Sequence, residues 1–149
     1  EDPKDKPNNL FPLLCKAANQ PRGKLFIFGR DWPTPDGTGI RDYIHVQDLA
    51  EGHVAALERL KKEKQKSMFI ILNLGTGKGT SVLNLINIFE RVNNVKVNFQ
   101  FSERRVGDKA IVYADINKAI KLINWAPKKN IEDMCIDGWK WNLKKISQN

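Results

Sequence analysis

Apolar residues recur at the spacing of an amphipathic helix in five parts of the chain. Polar residues that commonly cap helices stand at the start of four of these parts. The predicted helices begin near Asn8 or Asn9, Gln47, Thr80 or Ser81, Asp115 and Asn130. One face of the second helix is predicted to be buried, and it carries Leu49, His53, Ala56, Leu57 and Leu60. We therefore interpret His53 as a structural residue.

Four shorter stretches have the pattern of β-strands. They lie at Leu25–Phe28, Ile40–Val46, Met68–Leu74 and Val97–Phe101. Alternation in the second stretch predicts that Arg41 and Tyr43 lie on one side of a strand. The first and third stretches are apolar, which predicts buried strands and, for the third, a parallel sheet covered on both faces. Strands that alternate with helices predict an α/β fold, although too few strands are present for a full doubly wound sheet.

Composition is that of an ordinary globular domain, because 41% of the 149 residues are hydrophobic and 28% are charged. No apolar run approaches the roughly 20 residues that a membrane span needs. No signal peptide precedes the first predicted helix, so we expect a cytoplasmic protein. Cys15 and Cys135 form neither a disulfide framework nor a metal-binding motif, and we expect both to be reduced core residues.

The net charge of +8 leaves open an anionic partner. Lysines are spread along predicted helix faces or gathered in the loop at residues 61–66. No alternation of basic and aromatic residues typical of a single-strand-binding platform accompanies them. We interpret most of this charge as solvated surface, and keep a non-catalytic, nucleic-acid-binding module as an alternative.

The segment from Asp36 to His53 combines three features that suit a phosphate group. A glycine-punctuated turn at Asp36–Gly39 can expose backbone N–H groups, and Arg41 follows it on a predicted strand. A helix then begins with Asp48 in its first turn, where a carboxylate suits the helix dipole. An arginine beside a glycine turn and a helix start often holds a phosphate. By spacing alone, Arg41 is equally well explained as a surface ion pair.

A second glycine turn, Gly75–Ser81, has neither of the usual nucleotide-binding spacings. A Walker loop requires a serine or threonine after its lysine, whereas Gly79 follows Lys78 here. The dinucleotide fingerprint is Gly-x-Gly-x-x-Gly, and this turn reads Gly-x-Gly-x-Gly. We interpret it as a tight strand-to-helix turn and assign it no cofactor.

The sequence DGTGIRDYIHVQDLAEGHVAALE at residues 36–58 closely resembles that of the UDP-glucose 4-epimerases (UDP-galactose 4-epimerases), which are extended short-chain dehydrogenases/reductases. Further motifs of that family follow in the same order, at Pro7–Leu10, Phe26–Gly29, Asn73–Gly77, Arg104–Asp108 and Tyr113–Asp115. The resemblance implies that residues 1–149 are the UDP-sugar-binding C-terminal part of such an enzyme, with the N-terminal Rossmann domain missing. It also implies a homodimer for the full-length protein.

The chemistry of that family needs residues that this chain lacks. These enzymes transfer a hydride from the hexose C4 position to NAD, and return it to the other face of the keto sugar. The catalytic Tyr-x-x-x-Lys motif is absent, because Gln47 and Asn117 stand four residues after Tyr43 and Tyr113. The resemblance therefore implies that NAD is bound by the missing domain, that no catalytic residue lies here, and that the isolated chain is inactive.

The same resemblance implies a clamp for the nucleotide-sugar, in which each residue has a stated task. Asn9 and Leu10 would meet the diphosphate at a helix start, and Arg41 and Arg105 would carry its two negative charges. The backbone of Phe26, Ile27 and Phe28 would pair with uracil, and Asp108 would accept hydrogen bonds from the ribose. Tyr43 would pack nearby, and Val112 would line the hexose pocket. Another UDP-sugar epimerase or a decarboxylase with the same clamp is the alternative within this class.

Overall fold

A computed structural model of the protein describes residue 7 and residues 9–20, 22–62 and 69–147. Within these residues the helices are α1 (Leu10–Asn19), α2 (Val46–Lys62), α3 (Val82–Asn93), α4 (Asn117–Ile123) and α5 (Ile131–Ile146). The strands are β1 (Leu25–Phe28), β2 (Ile40–Arg41), β3 (Thr80–Ser81), β4 (Phe99–Ser102) and β5 (Ile111–Val112). The predicted α/β class is confirmed.

Helix starts agree well with the capping residues that the sequence indicates. Ser81 is the N-cap of α3 and its side chain accepts a hydrogen bond from the Asn84 N–H. Asn130 and Asp133 form a reciprocal capping box at the start of α5. Asn9 occupies the N-cap position of α1 but makes no side-chain capping bond there, whereas Asn8 lies outside the described residues. Asp115 lies one residue before the N-cap of α4 and accepts from the Asn117 N–H at 3.0 Å.

The described strands form two small sheets. In the first, β1 and β4 run parallel, with Leu25 opposite Phe99 and Phe28 opposite Ser102. In the second, β2 lies between β3, which is antiparallel to it, and β5, which is parallel to it. The predicted strand at Ile40–Val46 therefore ends at Arg41, since the pairing of β2 with β3 and with β5 stops at this residue.

Two hydrophobic clusters make up the core. The larger one joins α1, β1, α3 and α5, and at its centre the Phe89 ring meets Phe11 and Trp139 edge-on, at centroid distances of 5.9 and 5.5 Å. As predicted, Cys15 and Cys135 are buried in this cluster without a disulfide, and burial raises the pKa of each thiol to about 12. The smaller cluster surrounds Trp125, between α2 and α4.

The predicted strand at Met68–Leu74 is wrong over its described part. Residues 69–74 have no strand assignment, and Phe69 and Ile71 are 87% and 65% exposed. Leu72 and Leu74 pack against the smaller cluster on the other side. An apolar segment becomes a buried strand only where neighbouring strands pair with it, and none does so within the residues that the structure describes. Met68 lies outside these residues.

Burial along α2 and β1 also differs from the sequence prediction. His53, Leu57 and Leu60 are exposed, and the His53 Nδ1–H donates to the Leu49 carbonyl at 2.8 Å. Asp48 is the buried residue near the start of α2, since its carboxylate accepts from the N–H groups of Lys128 and Lys129. In β1, Leu25 and Ile27 are buried, but Phe26 and Phe28 are exposed. Successive side chains of a strand point to opposite faces, so only every second residue of a strand at the side of a core faces that core. None of the described helices is long and apolar enough to cross a membrane.

Candidate functional site

The parallel pairing of β1 and β4 brings two predicted site segments together. Carboxyl ends of parallel strands meet at the same edge of a sheet, so Phe28 lies beside Ser102. The loop at Arg104–Asp108 begins two residues after the end of β4. The Arg105 guanidinium consequently lies over the Phe28 ring, 4.6 Å from its centroid.

Arg41, Arg105 and Asp108 form a cluster with one more positive than negative charge. Asp108 accepts from the Arg105 Nε at 3.1 Å, and its other carboxylate oxygen lies 3.7 Å from an Arg41 nitrogen. Arg41 also donates to the Ile40 and Lys109 carbonyls, both at 2.8 Å, which fixes its guanidinium. Arg105 is 53% exposed and Arg41 is 30% exposed, so both can reach a bound anion. Two guanidinium groups around one carboxylate suit an anion with two negative charges.

The backbone of β1 has one edge that no described strand covers. Leu25 and Gly29 donate their N–H groups to β4-side carbonyls of Asn98 and Ser102, each at 2.9 Å. Peptide groups are trans throughout the described chain, so the C=O preceding each of these N–H groups points the opposite way. The N–H and C=O groups of Phe26 and Phe28 therefore point to the uncovered edge, and those of Ile27 point toward β4.

Trp32 and Arg104, for which the sequence predicted no task in the site, lie at the end of this edge. The Trp32 Nε1–H donates to the Phe28 carbonyl at 3.3 Å, and the Arg104 guanidinium lies 4.0 Å from the centroid of the indole. Arg104 is itself held by the side chain and carbonyl of Asp31, at 2.8 and 2.6 Å. An open cleft of about 540 Å³ lies here, lined by Gly29–Asp31 and by residues 101–104.

The glycine turn at Asp36–Gly39 has a structural role that its spacing did not indicate. Thr38 is fully buried, and both its N–H and its hydroxyl donate to the Asp36 carboxylate. Asp36 also accepts from the Ser81 hydroxyl, and the Gly39 carbonyl accepts from the Val82 N–H. The turn thus anchors the start of α3, and the N–H groups of residues 37, 38 and 40 are already bonded within the protein.

The Asp42 carboxylate binds the backbone of the second glycine turn, Gly75–Ser81. Its carboxylate accepts from the N–H groups of Thr76, Gly77 and Ala114 at 2.9 to 3.2 Å, and from the Thr76 hydroxyl. A carboxylate in this turn satisfies the N–H groups that a phosphate would otherwise meet. Asp42 directly follows Arg41, and its hydrogen bonds therefore connect the end of β2 to residues 76–77 and to the segment after β5.

The other predicted site residues lie in other elements of the fold. Val112 is in β5, opposite Arg41 in the parallel register, and is 47% exposed. Tyr43 packs against the larger core cluster, where burial raises its pKa to about 12. Asn9 and Leu10 stand at the start of α1, and Leu10 is half-buried against the same cluster. The side-chain contacts described above join Phe28, Arg41, Arg105 and Asp108 to one another.

Comparison with known proteins identifies the group to which these features belong. The NAD dependent epimerase/dehydratase family matches residues 1–75, half of the chain. The chain belongs to this family. Among its relatives, the UDP-glucose 4-epimerase of Bacillus subtilis is 45% identical over 147 residues, which are 99% of this chain and 42% of the relative. The resemblance to the UDP-glucose 4-epimerases is thereby confirmed.

Solved structures of the same family have the fold described here. The UDP-glucose-4-epimerase of Stenotrophomonas maltophila, with bound NAD and formylated UDP-arabinopyranose, superposes with a TM-score of 0.93 at 43% identity and covers 100% of this chain. The Bifidobacterium longum enzyme, in complex with NAD+ and UDP, gives 0.90 at 40% identity, again over 100% of the chain. This chain spans 44% and 43% of those two proteins, so it corresponds to less than half of an epimerase of this family.

Proposed function

We propose that this chain binds the UDP part of a UDP-hexose for an NAD-dependent UDP-glucose 4-epimerase. The observation that carries the proposal is the Arg41–Asp108–Arg105 cluster beside the uncovered edge of β1. A dianionic group and a flat ring with donors and acceptors are the two ligand parts that such a site accommodates together. Relatives that share this fold bind UDP or a UDP-sugar.

In the proposed complex the pyrophosphate lies between Arg41 and Arg105, whose net positive charge it neutralises. Asp108 then exchanges part of its contact with the two guanidinium groups for the ribose hydroxyls. Uracil pairs with the backbone groups of Phe26 and Phe28 at the uncovered edge. Helix α1 packs against β1 and is joined to it by only five residues, so in this proposal the two run in opposite directions and the start of α1 lies toward the carboxyl end of β1. Asn9 and Leu10 would there offer helix N–H groups to the diphosphate.

Catalysis in this proposal requires groups beyond this chain. The NAD and the Tyr-x-x-x-Lys pair of the family would come from a part of the full-length enzyme that does not match these residues. We expect the isolated chain to bind UDP, but neither to bind NAD nor to interconvert UDP-glucose and UDP-galactose. Epimerase turnover by a preparation free of host enzyme would contradict this expectation.

The proposal is tested by titration calorimetry of the chain with UDP and with uridine. Arg41→Ala and Arg105→Ala should each weaken UDP binding by about 1.5 to 3 kcal/mol, the usual scale of a hydrogen bond to a charged group. Uridine binding should hardly change, because uridine has no phosphate. Arg91→Ala is the control, since Arg91 pairs with Glu132 on the surface and should leave both affinities unaltered. Equal losses for UDP and uridine would mean that the two arginines support the fold rather than the phosphates.

A further inference from the structure

The Phe28 carbonyl is the last acceptor on the uncovered edge of β1, and in this structure it already has a donor. The Trp32 Nε1–H reaches it from four residues further along the chain, at 3.3 Å. Under the proposed function, this edge is where the base pairs. A carbonyl oxygen has two lone pairs, and the indole N–H occupies one of them. A base N–H that approaches the same side of the oxygen would compete with the indole.

Arg104 and Asp31 hold the Trp32 side chain in this position. Arg104 stacks on the indole at 4.0 Å, and Asp31 binds Arg104 through two short hydrogen bonds. The hydrogen bond from Arg104 holds the pKa of the Asp31 carboxyl below its ordinary value, so the ion pair persists at neutral pH. Gly29 has a φ of +83° and no side chain, and a Cβ at that position would collide with the Trp32 indole. Glycine between Phe28 and Trp32 thus permits their close approach.

The two neighbouring arginines have different contacts. Arg105 bonds Asp108 and lies over the Phe28 ring, whereas Arg104 contacts Asp31 and Trp32. The open cleft at Gly29–Asp31 lies beside Arg104, so there is room into which the indole and the guanidinium can move together. Release of Trp32 would free the Phe28 carbonyl without breaking the Arg41–Asp108–Arg105 cluster.

We propose that Trp32, held by Arg104 and Asp31, is a latch on the base subsite that occupies the Phe28 carbonyl in the empty protein and is released when a pyrimidine pairs with β1. This inference rests on the proposed function. It goes beyond it in assigning a specificity-determining role to a residue outside the anion clamp. Because the latch bond stabilises only the empty protein, removing the indole N–H should make base binding tighter.

Trp32→Phe tests the latch, since phenylalanine keeps an aromatic face and lacks the donor. By calorimetry, this variant should bind both UDP and uridine about threefold tighter than the unmodified chain, within the roughly two- to tenfold range that one neutral hydrogen bond allows. Trp141→Phe is the matched control, because Trp141 is also an indole beside a cation, Lys145, but lies on the exposed surface of α5. It should leave both affinities unchanged.

A second measurement uses the tryptophan indole N–H resonances of the ¹⁵N-labelled chain, which has four tryptophans. The Trp32 resonance, assigned from its loss in Trp32→Phe or Trp32→Tyr, should shift on titration with uridine while that of Trp141 stays in place. An unchanged Trp32 resonance, or unchanged or weaker uridine binding by Trp32→Phe, would overturn the latch. UDP binding that still depends on Arg41 and Arg105 would then leave the proposed function intact, whereas a chain that binds no UDP at all would overturn both.

Discussion

Asp42 shows how one side chain positions parts of the site that are far apart in the sequence. Its carboxylate accepts from backbone N–H groups in the second glycine turn and just after β5. Arg41 precedes it directly, and Val112 stands opposite Arg41 in the sheet. The relative positions of the anion cluster and of the proposed hexose-lining residue therefore depend on a carboxylate that contacts no ligand in our proposal.

Replacing Asp42 with asparagine should destabilise the fold. Asparagine presents one acceptor oxygen and an NH₂ group, so at least one of the three backbone N–H groups would face a donor. We expect Asp42→Asn to lower the free energy of unfolding by about 2 to 3 kcal/mol, measured by urea denaturation. Glu132→Gln, which breaks an exposed ion pair with Arg91, should cost less than about 1 kcal/mol. Similar losses in the two variants would argue against this role for Asp42.

The identity of Val112 leads to a prediction about which UDP-sugars the hexose pocket accommodates. We propose, from the family resemblance, that Val112, four positions after Asp108, lines the hexose pocket. A small residue there would admit N-acetylated sugars, whereas a tyrosine would not. Val112 is 47% exposed at the end of β5, so a larger side chain there would extend outward rather than into the core. A suitable test is a chimaera in which this chain replaces the matching part of the Bacillus subtilis relative.

The chimaera should epimerise UDP-N-acetylgalactosamine as well as UDP-galactose. Val112→Tyr should remove the first activity and spare the second, because only the N-acetyl group needs the space that the tyrosine ring fills. Tyr113 is the adjacent residue and is also exposed, so Tyr113→Val serves as the control for the register of this segment. If the unmutated chimaera turns over UDP-galactose alone, the assignment of Val112 is wrong.

Among the elements, α3 depends on a turn that is distant from it in the sequence. Asp36 bonds the Ser81 hydroxyl, and Ser81 in turn caps the helix. Partial burial of Asp36 opposes its ionisation, but hydrogen bonds from Ser81 and Thr38 outweigh this and lower the pKa of the carboxyl below its ordinary 3.8. Since the folded-state pKa is depressed, the stability that ionised Asp36 contributes is present above pH 3.8 and is lost as the pH falls below it.

We expect Asp36→Asn to lower the free energy of unfolding by about 0.5 to 1 kcal/mol at pH 7, the lower part of the hydrogen-bond range because the side chain is exposed. The difference in the free energy of unfolding between the variant and the unmodified chain should become smaller as the pH falls below the ordinary aspartate pKa of 3.8. Urea denaturation between pH 3 and pH 7 measures this difference. Asn93→Ala removes uncharged hydrogen bonds to the Phe89 and Cys135 carbonyls, so its cost should not change with pH. If Asp36→Asn lowers the free energy of unfolding by the same amount at every pH, ionised Asp36 does not contribute the pH-dependent stability that we expect.

Local signals in the sequence predicted helix starts well, because a cap depends on a few adjacent residues. Ser81 and Asn130 cap the helices that their positions indicated. Strand and burial predictions failed where the outcome depends on a partner. The apolar pattern at Met68–Leu74 and along α2 does not say whether another element covers it, and here Phe69 and Leu57 are exposed.

The same limit applies to the candidate site. The family resemblance singled out Arg41, Arg105 and Asp108, which the structure brings into one cluster, whereas the spacing around Arg41 alone left a surface ion pair equally open. Trp32 and Asp42 gave no such signal, because their roles arise from the approach of β1 to a loop and of β2 to the second glycine turn. In the case of β1, period-two alternation of a strand could have indicated that Phe26 and Phe28 face away from the core.

At the scale of the whole molecule, exposed apolar residues gather on two neighbouring segments. Val46, Val54, Leu57 and Leu60 on α2 are each more than half exposed, as are Phe69 and Ile71 in the segment that follows. Relatives in which this chain spans about two fifths of the length have further sequence that can cover such a surface. An uncovered extended segment with alternating apolar residues is a site for association with another chain.

The chain by itself should therefore self-associate. We expect its mean mass in sedimentation equilibrium to rise above that of the monomer with concentration, because burial of Phe69 and Ile71 between copies removes apolar surface from water. The double change Phe69→Lys and Ile71→Lys should keep the chain monomeric and leave its core intact, since neither side chain is buried. Leu143→Lys with Ile146→Lys, which alters exposed residues of α5 instead, is the matched control and should still associate. A chain that remains monomeric with a cooperative melt at every concentration would contradict this prediction.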